Sequence, residues 1–164
     1  MNKASVIRDL ERSRELLLPF FDSDAQLLRR TYAPGKWTAK QILGHLTDSE
    51  AVFHMRVRFI LSEPGCPIPP FDQDKWAKTL AYPLRKVPLM RRLFLANRES
   101  LVELADLLPE ALFAREGKHP EFASYRAWDV LTRTTTHTMH HWGQLVAIRD
   151  ETPWTPAASP PPEE

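Results

Sequence analysis

The sequence predicts an all-α fold, a bundle of four helices. Three observations carry this expectation. Apolar residues recur at three-to-four spacing in four long segments. Most of the fifteen prolines fall between those segments, at 64–70, 83–88, 109, 120 and 153–162, where they read as stiff connections. No segment shows convincing alternation of a half-buried strand. A length of 164 residues suits one domain with its own core. The bundle is expected over residues 1–150, with a Pro-rich C-terminal tail over 151–164.

The first helix is predicted from about Ser5 to about Phe21, where Ile7, Leu10, Leu17 and Phe21 share a stripe and Pro19 forces an early stop or a kink. Residues 22–37 form a connection with a short helical turn near Asp24–Arg30. The second helix has the clearest start. Thr38-Ala39-Lys40-Gln41 is a capping box, in which the threonine caps the helix and the glutamine reaches back, and Trp37 and Ile42 are placed for a hydrophobic staple. Ile42, Leu46, Val52, Phe53, Arg56 and Ile60 follow along one side, and the helix stops at Glu63-Pro64-Gly65.

Residues 64–88 read as a long irregular loop, since six prolines forbid a long helix. Its aromatics Phe71, Trp76 and Tyr82 argue for packing, and the loop is expected to cover one mouth of the bundle. A third helix is predicted from about Leu89 to Leu108, with Leu89, Leu93, Ala96, Leu101, Leu104 and Leu108 on its apolar side. The fourth is predicted from about Ser124 to Arg149, its long pattern overriding the poor local signal of Thr134-Thr135-Thr136. In the tail, Trp154 is expected to dock on the body.

Composition excludes several classes of function. With 22 basic and 21 acidic residues the net charge is +1, so no large field favours nucleic acid or a membrane surface. The short basic pairs Arg29-Arg30, Arg56/Arg58, Arg85-Lys86 and Arg91-Arg92 are interleaved with acids and read as solvated faces. No apolar run approaches the ~18 residues of a membrane helix, and the start shows no signal peptide. A single cysteine, Cys66, permits no internal disulfide. A cytoplasmic protein is the default expectation.

The chemistry lies in the histidines. Three of the six fall in His137-Thr138-Met139-His140-His141. Helix positions four apart lie about 40° apart around the axis and one turn above each other, so His137 and His141 can aim at one interior point. His140 is rotated by about 100° from His141 and should face elsewhere. A third ligand from another helix makes a real site, and His45, on the stripe of Ile42, Leu46, Ser49, Val52 and Phe53, is the best candidate. His54, about 180° around from His45, should not join it. The competing reading is of core histidines held by hydrogen bonds.

At these residues the sequence resembles the DinB/YfiT-like superfamily of metalloenzymes. The matching pieces are Gly35-Lys36-Trp37-Thr38-Ala39-Lys40-Gln41-Ile42-Leu43-Gly44-His45-Leu46 and His137-Thr138-Met139-His140-His141-Trp142-Gly143-Gln144-Leu145. The loop Pro69-Pro70-Phe71-Asp72-Gln73-Asp74-Lys75-Trp76-Ala77, the stretch Gly117-Lys118-His119-Pro120 and the closing Pro153-Trp154 also look like the family. The resemblance implies a four-helix bundle of DinB/YfiT type with one long crossover connection. It implies a three-histidine metal site at His45, His137 and His141, and often a dimer. Some members are similar to thiol S-transferases that use bacillithiol or mycothiol. Thr138 and Thr134–136 stand where relatives often have other residues.

Around the triad, Gln144 continues the stripe of His137 and His141 and should line the pocket or support a ligand. Asp48 could orient a ligand or face water. Arg133, one turn before His137, could bind an anion or form an ion pair. Trp142 could wall the site or belong to the core. Asp72 and Asp74 could supply an acid or base, with capping of a short helix favoured. The expected function is that of a metal-dependent enzyme, a hydrolase or a thiol-dependent S-transferase. Its cofactor would be a divalent ion, zinc or nickel ahead of iron, and its substrate a small molecule, with a low-molecular-weight thiol among the candidates. A homodimer is expected, in part from apolar residues Leu16, Leu18, Phe94 and Leu95. The alternative is a non-catalytic, metal-stabilised bundle acting through protein partners.

Overall fold

The computed structural model describes residues 2–156. The remainder of the predicted Pro-rich tail, residues 157–164, lies outside them, as does Met1. Four long helices form the body: α1 (Lys3–Leu17), α3 (Ala39–Ser62), α5 (Val87–Leu107) and α6 (Ala127–Asp150). Two short ones, α2 (Ala25–Arg29) and α4 (Gln73–Thr79), lie in the connections. A two-stranded antiparallel hairpin, β1 (Glu116–His119) and β2 (Phe122–Arg126), precedes α6.

The capping box at the start of α3 forms as its residues predict. The Thr38 backbone N–H donates to Gln41 Oε1 at 2.9 Å, and the Gln41 backbone N–H donates to Thr38 Oγ1 at 3.3 Å. The first helix ends at Leu17, two residues before Pro19, and continues as a 3-10 turn through Asp22. The last helix begins at Ala127 rather than Ser124, because residues 122–126 pair with β1. Its threonines stay helical by bonding back to the preceding turn: Thr134 Oγ1 donates to the Val130 carbonyl and Thr138 Oγ1 to the Thr134 carbonyl, both at 2.8 Å.

The third long helix corrects the predicted face. Leu89 and Leu93 are 46% and 42% exposed, whereas Met90, Phe94, Arg98, Leu101 and Ala105 are buried. The true stripe runs through an arginine, which disguises it as a polar face. Phe94, expected at a dimer surface, packs at a tilt against Phe21 in the core with ring centroids 5.7 Å apart. The hairpin was also not anticipated. Strands of four and five residues are too short to establish alternation. Gly117 in β1 lies so close to Ile68 and Ile60 that a Cβ would fall 2.7 Å and 3.0 Å from their side chains.

In the bundle α3 packs between α5 and α6, and α1 packs on the same two from the opposite side. The pairs Thr47–Met90 and Arg58–Ser100 show that α3 and α5 run parallel. The chain between them must therefore return along the bundle, which is the long crossover. Within it, residues 66–68 pair with Lys118, α4 forms with Asp72 as its cap, and Tyr82 buries its ring against Gly44. His45 near the start of α3 faces His141 of α6, and Phe53 two turns on faces the earlier His137, so those two helices are antiparallel.

The core has two apolar clusters along the bundle, one around Leu10, Val57, Leu101 and Leu131, the other around Leu17, Ile42, Phe94 and Leu145. Between them a polar layer crosses all four long helices. Arg98 donates from Nε and Nη2 to the two carboxylate oxygens of Glu50 at 2.7 and 2.8 Å. It also donates to the Leu10 carbonyl, Ser13 Oγ and Thr138 Oγ1. Every polar hydrogen direction of this fully buried guanidinium is used.

Candidate metal centre

Because the capping box sets where α3 begins, His45 falls two turns inside it, on the face turned to α6. His137 and His141 meet it from one turn of α6. One nitrogen from each ring lies within 4.8 Å of the others. His45 Nε2 is 2.9 Å from His137 Nε2, and the His141 ring centroid is 4.8 Å from that of His45 and 4.7 Å from that of His137. Two ligands at ~2.0–2.1 Å from one ion lie about 2.8–3.4 Å apart for angles between a right angle and the tetrahedral value. The spacing of the first pair fits that range. Two facing imidazole nitrogens also require a proton or a cation between them.

Neighbours hold the rings. His141 Nδ1–H donates to Gln144 Oε1 at 2.7 Å, which leaves its Nε2 lone pair free. Gln144 Nε2 is in turn 3.4 Å from the Tyr32 hydroxyl. The Trp37 ring lies 4.9 Å from His45, and the Phe53 ring 5.5 Å from His137. Ser49 Oγ is 3.4 Å from His45 Nδ1. His45 and His141 are buried, and His137 is half-buried. Burial, reinforced by the neighbouring histidines, pushes His45 down to about 3. Burial pushes His141 down to about 4, opposed by the Gln144 bond. His137 is driven well below the usual range by burial first, then by His141, His45 and Arg133. Three neutral imidazoles are the donor set that a borderline divalent cation prefers. Among the described residues no fourth His, Cys, Asp or Glu joins the group.

A cavity of about 810 Å³ adjoins the cluster. His137, His141, Gln144 and Arg133 line it from α6, Tyr32 and Trp37 from the segment before α3, and Gln73 and Asp74 from α4. The crossover thus reaches the mouth of the site. Asp72 caps α4 through its carboxylate, and the next acid, Asp74, faces the cavity.

Of the other sequence candidates, Gln144 and Arg133 line the cavity. Asp48 does not. Its carboxylate pairs with Arg85 at 2.7 Å and borders a groove between α3 and α4. Trp142 packs, half-buried, against the apolar cluster around Leu17 and Leu145 and is not part of the cavity wall. His140, expected to face elsewhere, lines the cavity. Its Nε2 is 3.5 Å from Gln144 Nε2, and its ring is held by Trp154 at 5.0 Å. Trp154 docks across Gly143, whose missing Cβ leaves room for the indole, and against Tyr32. Sequence reading missed Tyr32, and it gave Trp37 the role of a hydrophobic staple without its contact to His45. An acid at 50 and an arginine at 98 within apolar stripes were the available signal for the buried pair.

A family model described as the DinB superfamily matches residues 9–145. A protein of Geobacillus thermodenitrificans is 31% identical over 134 residues, spanning 77% of this chain and 72% of its own. One from Bacillus mycoides is 25% identical over 142 residues, spanning 85% and 80%. Both carry names that assign them, provisionally, to the metal-dependent hydrolases. Among solved structures, Bacillus subtilis YfiT is similar with a TM-score of 0.83 at 22% identity, over 93% of this chain and 89% of that one. It is described as a four-helix bundle of unusual topology, and this chain shares its fold. A mycothiol-dependent maleylpyruvate isomerase is similar with a TM-score of 0.72 at 10% identity, over 88% of this chain and 61% of the other.

Proposed function

The chain belongs to the DinB superfamily, and on that footing we propose that it is a metal-dependent hydrolase whose divalent ion is held by His45, His137 and His141. The observation that supports this most is the convergence of three neutral imidazoles beside an open cavity, with His141 already oriented by Gln144. When bound, an ion with three such ligands and a free position lowers the pKa of coordinated water to about 7 and polarises a carbonyl or phosphoryl oxygen. The protein's own groups serve that chemistry. Gln144 and Ser49 orient rings, Trp37 and Phe53 pack against them, and Asp74 at the cavity wall is placed to carry a proton to or from solvent. Three imidazoles suit zinc, nickel, iron and copper, and zinc or nickel is the ion proposed.

A second reading, transfer to or from a low-molecular-weight thiol, is favoured by the fold shared with a mycothiol-dependent enzyme and by a cavity roomy enough for such a molecule. The absence of a fourth ligand among the described residues weighs against a purely structural metal. Elemental analysis of the protein purified from its native host tests the metal. Assay of ester, amide and thioester hydrolysis, with and without added thiol, then separates the two reactions. Stoichiometric metal lost from a His45→Ala, His137→Ala double variant is expected. Full occupancy in that variant would sink the assignment.

A further inference from the structure

A smaller chamber, about 150 Å³, reaches the histidine cluster through His45 and His137. Arg133 and Gln73 line both it and the larger cavity. Its polar groups are basic. Arg56 of α3 is 6% exposed, and among the described residues it forms no ion pair. Nη1 donates to the Tyr125 hydroxyl at 3.2 Å and Nη2 to the Pro69 carbonyl at 2.6 Å, while the buried Nε donates to nothing. The guanidinium sits between the rings of Phe71 and Tyr125, 5.9 and 5.8 Å from their centroids. Arg98, also buried, has Glu50 to neutralise it. Arg56 has no such partner, and an arginine cannot shed its charge.

Two further donors stand beside it. Arg133 of α6 lies over the Phe122 ring at 5.2 Å, also without an ion pair. Buried His119 accepts the Glu121 backbone N–H at Nδ1, 3.2 Å away, which leaves Nε2–H to donate. Burial first, then Arg56 and Arg133, lower the pKa of His119, opposed by Glu121. The one carboxylate in the lining, Glu121, is exposed and pairs with neither arginine. Phe53, Phe71, Phe122 and Pro70 supply the remaining, apolar wall.

We infer that this chamber is a subsite for a carboxylate carried on a short apolar stem, gripped by Arg56 with Arg133 and His119, so that the substrate's next bond lies at His45 and His137. The planar guanidinium fork suits a carboxylate, and the aromatic wall suits the stem. The small volume suits a short chain better than a bulky one. That the neighbouring bond reacts rests on the hydrolase reading above. The binding site itself does not.

Calorimetric titration with sodium butyrate tests it, using zinc-loaded protein and the same protein stripped with chelator. Wild type should bind butyrate but not butyramide in both forms. Arg56→Gln and Arg133→Gln should each weaken binding at least about tenfold, and Arg56→Lys by less. Since Arg56 also bonds to Pro69 and Tyr125, a thermal melt accompanies its variants. Exposed Arg133→Gln gives the same readout without that risk. Butyramide binding as well as butyrate, or both glutamine variants binding like wild type, would overturn the subsite whatever the metal content. Inorganic phosphate binding more tightly than butyrate would overturn the carboxylate class. Butyrate binding that needs Arg56 in a protein that takes up neither zinc nor nickel would leave the subsite standing and remove the hydrolase reading instead.

Discussion

Arg98 and Glu50 form a two-pronged ion pair at the centre of the bundle, with N–O distances of 2.7 and 2.8 Å and both side chains almost wholly buried. The pair is completed by Leu10 and Ser13 of α1 and by Thr138, the neighbour of His137. It therefore ties the position of α6, and of two of the three clustered histidines, to the other three long helices.

Removing one partner should cost far more than replacing both. Arg98→Met leaves a buried carboxylate without its counter-charge, and a loss of about 3–5 kcal/mol is expected. The double variant Arg98→Met, Glu50→Leu should recover a large part of that loss. Chemical denaturation of the single and double variants measures both. Equal destabilisation by single and double would show that the network acts by shape rather than by charge.

Each alanine substitution at His45, His137 or His141 should strongly lower bound metal, because two imidazoles hold an ion poorly. His54→Ala and His119→Ala should leave metal content near wild type. Gln144→Ala should retain the fold but weaken metal binding by roughly 10–100-fold, since the His141 ring loses the bond that fixes its tautomer. Competition with a chromophoric chelator measures all of these. Wild-type affinity in Gln144→Ala would reduce its 2.7 Å contact to packing.

Acid should destabilise the metal-free protein in a defined direction. The folded-state values of His45 and His141, about 3 and about 4, lie below the ordinary ~6.5 of an unfolded chain. Between those limits the unfolded state binds protons that the folded state refuses, so stability rises with pH. It should be complete above about pH 6.5 and fall progressively as pH drops toward 4. Melting temperatures of chelator-treated protein from pH 8 to pH 4 read this, and His45→Phe should flatten the slope. A slope unchanged by that substitution would assign the acid sensitivity to other groups.

Gly143→Ala should push Trp154 outward by a few tenths of an ångström, since the new Cβ would lie 3.1 Å from the indole nitrogen. Its contacts with Tyr32 and His140 would then loosen. A red shift and change in intensity of tryptophan fluorescence, removed by Trp154→Phe, is expected. The bundle's melting temperature should move little, because Trp154 lies outside both core clusters.

A homodimer remains a proposal, and burial of Phe94 removes one of its sequence arguments. Among the apolar side chains still exposed, Met55 and Phe59 of α3 and Leu80 border the groove between α3 and α4. Sedimentation at micromolar concentration distinguishes dimer from monomer.

What the sequence determined by itself was whatever short-range geometry controls. Thr38 and Gln41 reach one another within a single turn, so the start of α3, and with it the depth of His45, is written locally. His137 and His141 share a face because a helix returns nearly to the same angle after four residues. Only the tertiary structure decided the rest. The inward face of α5 runs through Arg98, whose burial is possible because Glu50, Ser13 and Thr138 arrive from positions 48, 85 and 40 residues away. Asp48 turned to Arg85 across 37 residues, and His140 toward the cavity through Gln144 and Trp154. A periodic pattern records which residues are apolar. Which polar ones lie inside depends on partners that the chain brings close only when it folds.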